Sequence, residues 1–213
     1  MSAIACMTVV VALCAAAPAA TRCVNPGGTG GCYSTISAAV AAAHPNDTIQ
    51  VSPGTYAEDV IIDKSLSMVG KSRSTTFIDA TGLANGIYVD GLDHPGLSHV
   101  LISGFTVKNA DFEGVLATNT DSITVFQMTV TNNDLSLSAA TGTCPGLPVW
   151  ETAEGFDCGE GVHFSGVTHP SSAGIMSSKI PAASSSATIL AQPTITPFPT
   201  ISSITIPPTA ASL

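Results

Sequence analysis

The segment Phe105-Thr106-Val107-Lys108-Asn109-Ala110-Asp111 recurs twenty-three residues on as Met128-Thr129-Val130-Thr131-Asn132-Asn133-Asp134. Upstream, Val100 and Ile102 of the first copy correspond to Ile123 and Val125 of the second, with apolar residues alternating as in a strand. A unit this short cannot bury its own apolar face. It must stack on its neighbours, so self-similarity at this period points to a solenoid.

Short strands broken by turns continue the pattern toward the N-terminus. They are expected at Thr48 to Val51, Asp59 to Ile62, Leu66 to Val69, Thr75 to Ile78 and Gly86 to Val89, with a turn at Pro53-Gly54-Thr55-Tyr56. Before them, Ile36, Val40 and Ala43 recur at helical spacing between Ser34, a candidate N-cap, and His44-Pro45-Asn46-Asp47. A short helix there would cover the open end of the first coil.

These residues carry a family resemblance. Ile49-Gln50-Val51-Ser52-Pro53-Gly54-Thr55-Tyr56, then Val60-Ile61-Ile62-Asp63-Lys64-Ser65-Leu66 and Gly70, resembles the opening of the pectin-lyase-like right-handed parallel β-helix superfamily. Ile102-Ser103-Gly104-Phe105-Thr106-Val107-Lys108-Asn109 is similar to its recurring coil phrase. The resemblance covers about Cys23 to Gly166. It implies an all-β, right-handed parallel β-helix solenoid, truncated, with a short N-terminal capping helix. For activity it is broad, since the superfamily holds lyases, hydrolases, copper-delivery proteins and adhesins. Asn132-Asn133-Asp134 partly resembles the Asn-Thr-Asp phrase of polygalacturonases, but their Asp-Asp pair and Gly-His-Gly motif have no counterpart here.

Charge limits the partners. All fifteen acidic residues fall between Asp47 and Glu160, so the formal charge of -9 belongs to the central segment. Nucleic acid is thereby excluded as an expected partner, and a polysaccharide is the partner the resemblance implies; an anionic one would need a bridging cation.

Residues 1–20 read as a signal peptide, with an apolar run from Thr8 to Leu13 and small residues at Ala17-Pro18-Ala19-Ala20. Pro18 and Arg22 cut the run short of the roughly 20 apolar residues of a membrane span, so no stable span is expected once the signal is removed. The expected location is secreted, periplasmic or cell-surface. Removing the signal leaves Cys23, Cys32, Cys144 and Cys158, for which locality favours Cys23 with Cys32 and Cys144 with Cys158.

The candidate site residues come from the repeat and from an excursion that interrupts it. Asn109 should stack on Asn132 as a turn ladder, and Asp111 on Asp134. Stacked carboxylates repel unless they splay into solvent, share a proton or bind a cation. Splayed turn residues and a Ca²⁺ site formed by Asp111, Glu113 and Asp134 are the two readings. Between Leu135 and Cys158 the coil pattern stops, and Trp150 there either stacks on a sugar or packs the loop down. Catalytic candidates are Glu160 with His163 as an acid/base pair, and Lys108 as a base near Asp111 and Asp134.

Residues 21–166 are expected to form the β-helix. From 167 to 213 the chain is rich in Ser, Thr and Pro, with no acidic residue and one lysine, Lys179. It reads as a disordered or O-glycosylated stalk, or as a frameshifted product; permitted codons for Ser172 to Leu213, read one nucleotide earlier, give Asn-rich turns and short apolar strands, which favours the frameshift. The function implied is an exported β-helix protein that binds or processes extracellular carbohydrate. The alternatives are a noncatalytic surface scaffold and an inactive fragment.

Overall fold

The computed structural model describes residues 18–133 and 161–178, and within them the chain winds as a right-handed parallel β-helix. Strand β1 (Thr21–Val24) is followed by helix α1 (Ile36–Ala42). The first coil is β2 (Thr48–Val51), β3 (Gly54–Tyr56) and β4 (Val60–Ile62). The second is β5 (Ser67–Gly70), β6 (Thr76–Asp79) and β7 (Ile87–Asp90). The third is β8 (Ser98–Ser103), β9 (Thr106–Lys108) and β10 (Val115–Thr118). The fourth is β11 (Asp121–Phe126), β12 (Thr129–Thr131) and β13 (Val162–Ser165), and a fifth begins with β14 (Ser171–Ala173) and β15 (Met176–Ser178).

Equivalent strands of successive coils pair in parallel, giving three sheets. Sheet A runs β1-β2-β5-β8-β11-β14, sheet B β3-β6-β9-β12-β15 and sheet C β4-β7-β10-β13. The core is made of inward columns. Ile49, Met68, Ile102 and Val125 are in register in sheet A, and Tyr56, Ile78, Val107 and Val130 in sheet B. All of them are buried.

The expected turn at Pro53 to Tyr56 is a correction, because Gly54–Tyr56 is β3 and carries a core residue, Tyr56. A Pro-Gly pair reads locally as a turn, but here it only starts the corner, and pairing with β6 holds Gly54 to Tyr56 extended. The Asn ladder is present: the Asn132 side chain donates to Asn109 Oδ1, and Asn109 N–H donates to the Asn132 carbonyl at 3.0 Å. Both asparagines hold left-handed backbone, with φ of 65° and 58°, which their side chains tolerate.

The tail boundary at Gly166 is also corrected. The coil passes it and reaches Ser178, with Ala173 in register with Phe126 and Met176 with Thr129. Gly174 turns the corner with φ 63°, as Gly104 does with φ 79°. Pro170 sits between β13 and β14, where no ladder N–H is needed.

Helix α1 closes the N-terminal end by burying Ile36, Ala39 and Val40. Its N-cap is Thr35, not Ser34: Thr35 Oγ1 accepts from Ala38 N at 3.2 Å. Glu58, from the first coil, accepts from the amides of Ile36 and Ser37 at 2.8 Å each, satisfying two donors the helix itself leaves open. The Cys23–Cys32 disulfide ties the loop before α1 to β1, as expected. A loop of that size constrains the unfolded chain by roughly 2.5 kcal/mol. Cys144 and Cys158 lie outside the described residues. Among the described residues no helix is long and apolar enough to cross a membrane.

This packing has two measurable consequences. At the corner between sheets A and B, a Cβ on Gly70 would come within 2.4 Å of the Gly104 carbonyl oxygen, and one on Gly104 within 2.3 Å of the Gly70 oxygen. Gly70→Ala should therefore cost about 1 to 3 kcal/mol in urea unfolding. Asp47 is buried and accepts from the amides of His44 and Ala20 and from Arg22 Nε, at 2.9, 2.7 and 2.9 Å. Those bonds, the His44 amide first, lower its carboxyl to about 2. Its contribution is present above the ordinary carboxylate value of about 4 and is lost as pH falls through the folded value. Asp47→Asn should lower the melting temperature at neutral pH and flatten its decline between about pH 4 and pH 2, read by circular dichroism.

Candidate functional site

Every second residue of a strand faces outward. In sheet C the inward columns are Val60, Ile87, Val115 and Val162, then Ile62, Val89, Ala117 and Phe164. Between them lies one outward column: Ile61, Tyr88, Leu116 and His163. Beside it Asp90, Thr118 and Ser165 are in register. Exposure falls along the first column, from 52 % at Ile61 to 2 % at Leu116, so the outward face is shielded where the third and fourth coils meet.

Hydrogen bonds fix the polar members. Tyr88 OH donates to Asp90 Oδ1 at 2.9 Å and lies 3.2 Å from Thr118 Oγ1, which in turn accepts from Leu92 N at 3.3 Å. Asp93 N–H donates to Asp90 Oδ1 at 3.1 Å. His94 Nδ1 lies 3.1 Å from the Asp90 carbonyl and 3.3 Å from its Oδ2. A proton on Nδ1 satisfies both acceptors. Burial, and then the Asp90 carboxylate, push the Tyr88 hydroxyl up to about 12 against the opposing effect of Thr118.

At the far end of the column His163 Nδ1 lies 4.0 Å from Glu113 Oε1, with both side chains largely buried. Glu113 comes from the corner before β10, where its amide donates to Asn85 Oδ1 at 3.3 Å. The acid/base partner expected for His163 was Glu160, which lies outside the described residues. Glu113 stands one coil earlier in the same phrase, as Glu113-Gly114-Val115 matches Glu160-Gly161-Val162. That repeated phrase was the sequence signal for the contact.

Of the other expected site residues, the structure describes Lys108, Asp111 and Glu113. Lys108 is on sheet B, and its Nζ forms an ion pair with Asp79 Oδ2 at 3.0 Å. Burial disfavours the Asp79 charge, but hydrogen bonds from Thr81, Asn109 and Lys108 win and hold its carboxyl well below the usual range. The Lys108 ammonium is thus engaged with Asp79 on sheet B. Asp111 is half-buried at the corner, where its amide donates to the Leu83 carbonyl at 2.9 Å. Asp134 and Trp150 lie outside the described residues. Glu113 lies 4.0 Å from the His163 imidazole, and the Ca²⁺ site expected with Asp111 includes Asp134, outside the described residues. Among the described residues no three or more His, Cys, Asp or Glu side chains gather as a metal site.

Fold and outward face together mark this chain as a parallel β-helix with one partly shielded sheet surface. The family model described as "Protein of unknown function (DUF1565)" matches residues 21–178, and the chain belongs to that family. No curated protein matches the chain. Among solved structures, a mutant pectin methylesterase in complex with a hexasaccharide is similar, at 17% identity and a TM-score of 0.44. The match covers 51% of this chain and 42% of that one, so this chain aligns with less than half of its length.

The Tyr88 arrangement has a spectroscopic consequence. The tyrosinate absorbance that Tyr88→Phe removes should titrate at about 12, above the ordinary tyrosine value of about 10. Because the folded value is raised, the stability it carries is present below about pH 10 and is lost as pH rises toward the folded value. Asp90→Asn should bring that titration down toward the ordinary value. Titration at the ordinary value in the unsubstituted protein would contradict the bonded geometry.

Proposed function

We propose that this protein is an exported β-helix protein that binds extracellular carbohydrate across the outward face of sheet C. The observation that carries this reading is the pair of parallel columns, Ile61-Tyr88-Leu116-His163 beside Asp90-Thr118-Ser165. Exposed Ile61 and half-buried Tyr88, with hydrogen-bonding groups beside them, match the apolar ring face and hydroxyl rim of a sugar, while Leu116, Asp90 and Thr118 are buried. Strand spacing repeats the pattern along the solenoid axis at roughly 4.8 Å, which suits a polymer of repeating units more than a compact ligand. The disulfide Cys23–Cys32 supports an oxidising compartment.

Processing rather than binding alone is the second reading, and the Glu113–His163 approach favours it. Glu113 would hold the imidazole in one orientation, and His163 would exchange a proton with a bound sugar hydroxyl or glycosidic oxygen. No step of this reading uses a metal.

Calorimetric titration against soluble neutral and anionic polysaccharides tests the proposal. Binding should be measurable for at least one polymer, and Tyr88→Ala should weaken it by about 10-fold or more, in line with roughly 1.4 kcal/mol per decade. Ser74→Ala, at a corner between sheets A and B, should leave affinity unchanged. No heat with any polymer would leave the noncatalytic scaffold reading standing in its place. Release of reducing ends that His163→Ala abolishes, with binding retained, would favour processing.

A further inference from the structure

The chain of 213 residues contains one Asn-x-Ser/Thr triplet with a non-proline middle residue, Asn46-Asp47-Thr48. This triplet is an acceptor for N-linked glycans when it lies on the surface of an exported protein. Its place in the fold supplies the surface position, and export rests on the reading proposed above. His44-Pro45-Asn46-Asp47 is a turn closed by Asp47 N–H donating to the His44 carbonyl at 3.1 Å, and Asn46 at its third position has φ 71°. Pro at the second position and a left-handed Asn at the third are the signature of a type II turn. Asn46 is exposed, and among the described residues its side-chain amide makes no hydrogen bond. Its neighbours are anchored instead: the Asp47 carboxylate points back into the protein, and Thr48 is held in β2 between β1 and β5.

We propose that Asn46 is a glycosylation site. The donor is an oligosaccharide carried on a polyprenyl pyrophosphate. The Asn46 Nδ2–C1 bond forms as the bond between C1 and the pyrophosphate oxygen breaks; the carrier leaves with that electron pair, and the amide gives up one proton. The turn lets the finished glycan project from the helix-capped end of the solenoid without displacing a packed group. A glycan there is bulky and solvated, and it would keep that end from stacking on another molecule.

A purely structural role for Asn46 is the competing account, since a left-handed turn position favours Asn or Gly. Substitutions separate the two. The full chain is expressed behind a secretion signal in a eukaryotic host, so that it enters the lumen whatever residues 1–20 do, and is recovered from the medium. Peptide N-glycosidase should lower its mass by one glycan and convert Asn46 to Asp. Asn46→Gly, which suits the turn, and Thr48→Val, which keeps the strand but lacks the hydroxyl, should each be secreted, folded and unmodified; Thr48→Ser should restore the glycan. A secreted wild type without the glycan, or modification that persists in Thr48→Val, would overturn the proposal. Glycan binding at sheet C, measured on the same samples, succeeds or fails independently of this result.

Discussion

Coil-on-coil stacking of inward side chains carries the whole of this solenoid. No single coil encloses a core, because its strands are three to six residues long and contribute one to three inward positions each. Ile49, Met68, Ile102 and Val125 are buried because each lies on the next, and the backbone ladder sets that spacing. Burying a side chain of this size contributes roughly 1.5 to 3 kcal/mol. Register is strongly held for the same reason, since a slip by one residue would turn every apolar column outward.

Stacking leaves two problems that specific residues solve. The end of a solenoid exposes apolar surface, and α1 covers it at the N-terminal end, held by Glu58 at its start and by Lys64 Nζ on the Val40 carbonyl at 3.1 Å near its finish. Corners must bring backbones close, which the Gly70 and Gly104 pair permits in one place and the Asn109 and Asn132 ladder in another. Arg73 reaches across coils, donating to the Gly174 carbonyl at 3.0 Å and so tying the second coil to the fifth.

The same alternation that builds the core builds the outward face of sheet C. Once Val60, Ile87 and Val115 point inward, Ile61, Tyr88 and Leu116 have no choice but to point outward in one line. What distinguishes sheet C is the content of that line and its neighbour, an aromatic hydroxyl, a buried aspartate and the His163 imidazole near Glu113, with His94 on the Asp90 carboxylate in the turn after β7. On sheet B the comparable polar groups, Asp79, Lys108 and Asn109, satisfy one another and serve the stack.

Local spacing and the exact repeat were enough to establish the solenoid, the positions of most strands, the Asn109 and Asn132 stacking and the Cys23–Cys32 bond. They misjudged Pro53 to Tyr56 and residues 167–178, where Pro and Gly signal a break locally but pairing with the neighbouring coil extends the chain. Which polar residues meet across coils was settled by the three-dimensional arrangement alone. Asp90 meets Tyr88 and His94 within β7 and the turn after it, whereas Tyr88 with Thr118, and Glu113 with His163, come together through register between coils. Asp121 and Thr168 are neighbours across 47 residues, whereas Asn109 and Asn132 are neighbours across 23. A repeat of one length can be read from its spacing; coils of unequal length are aligned only by the ladder that pairs them.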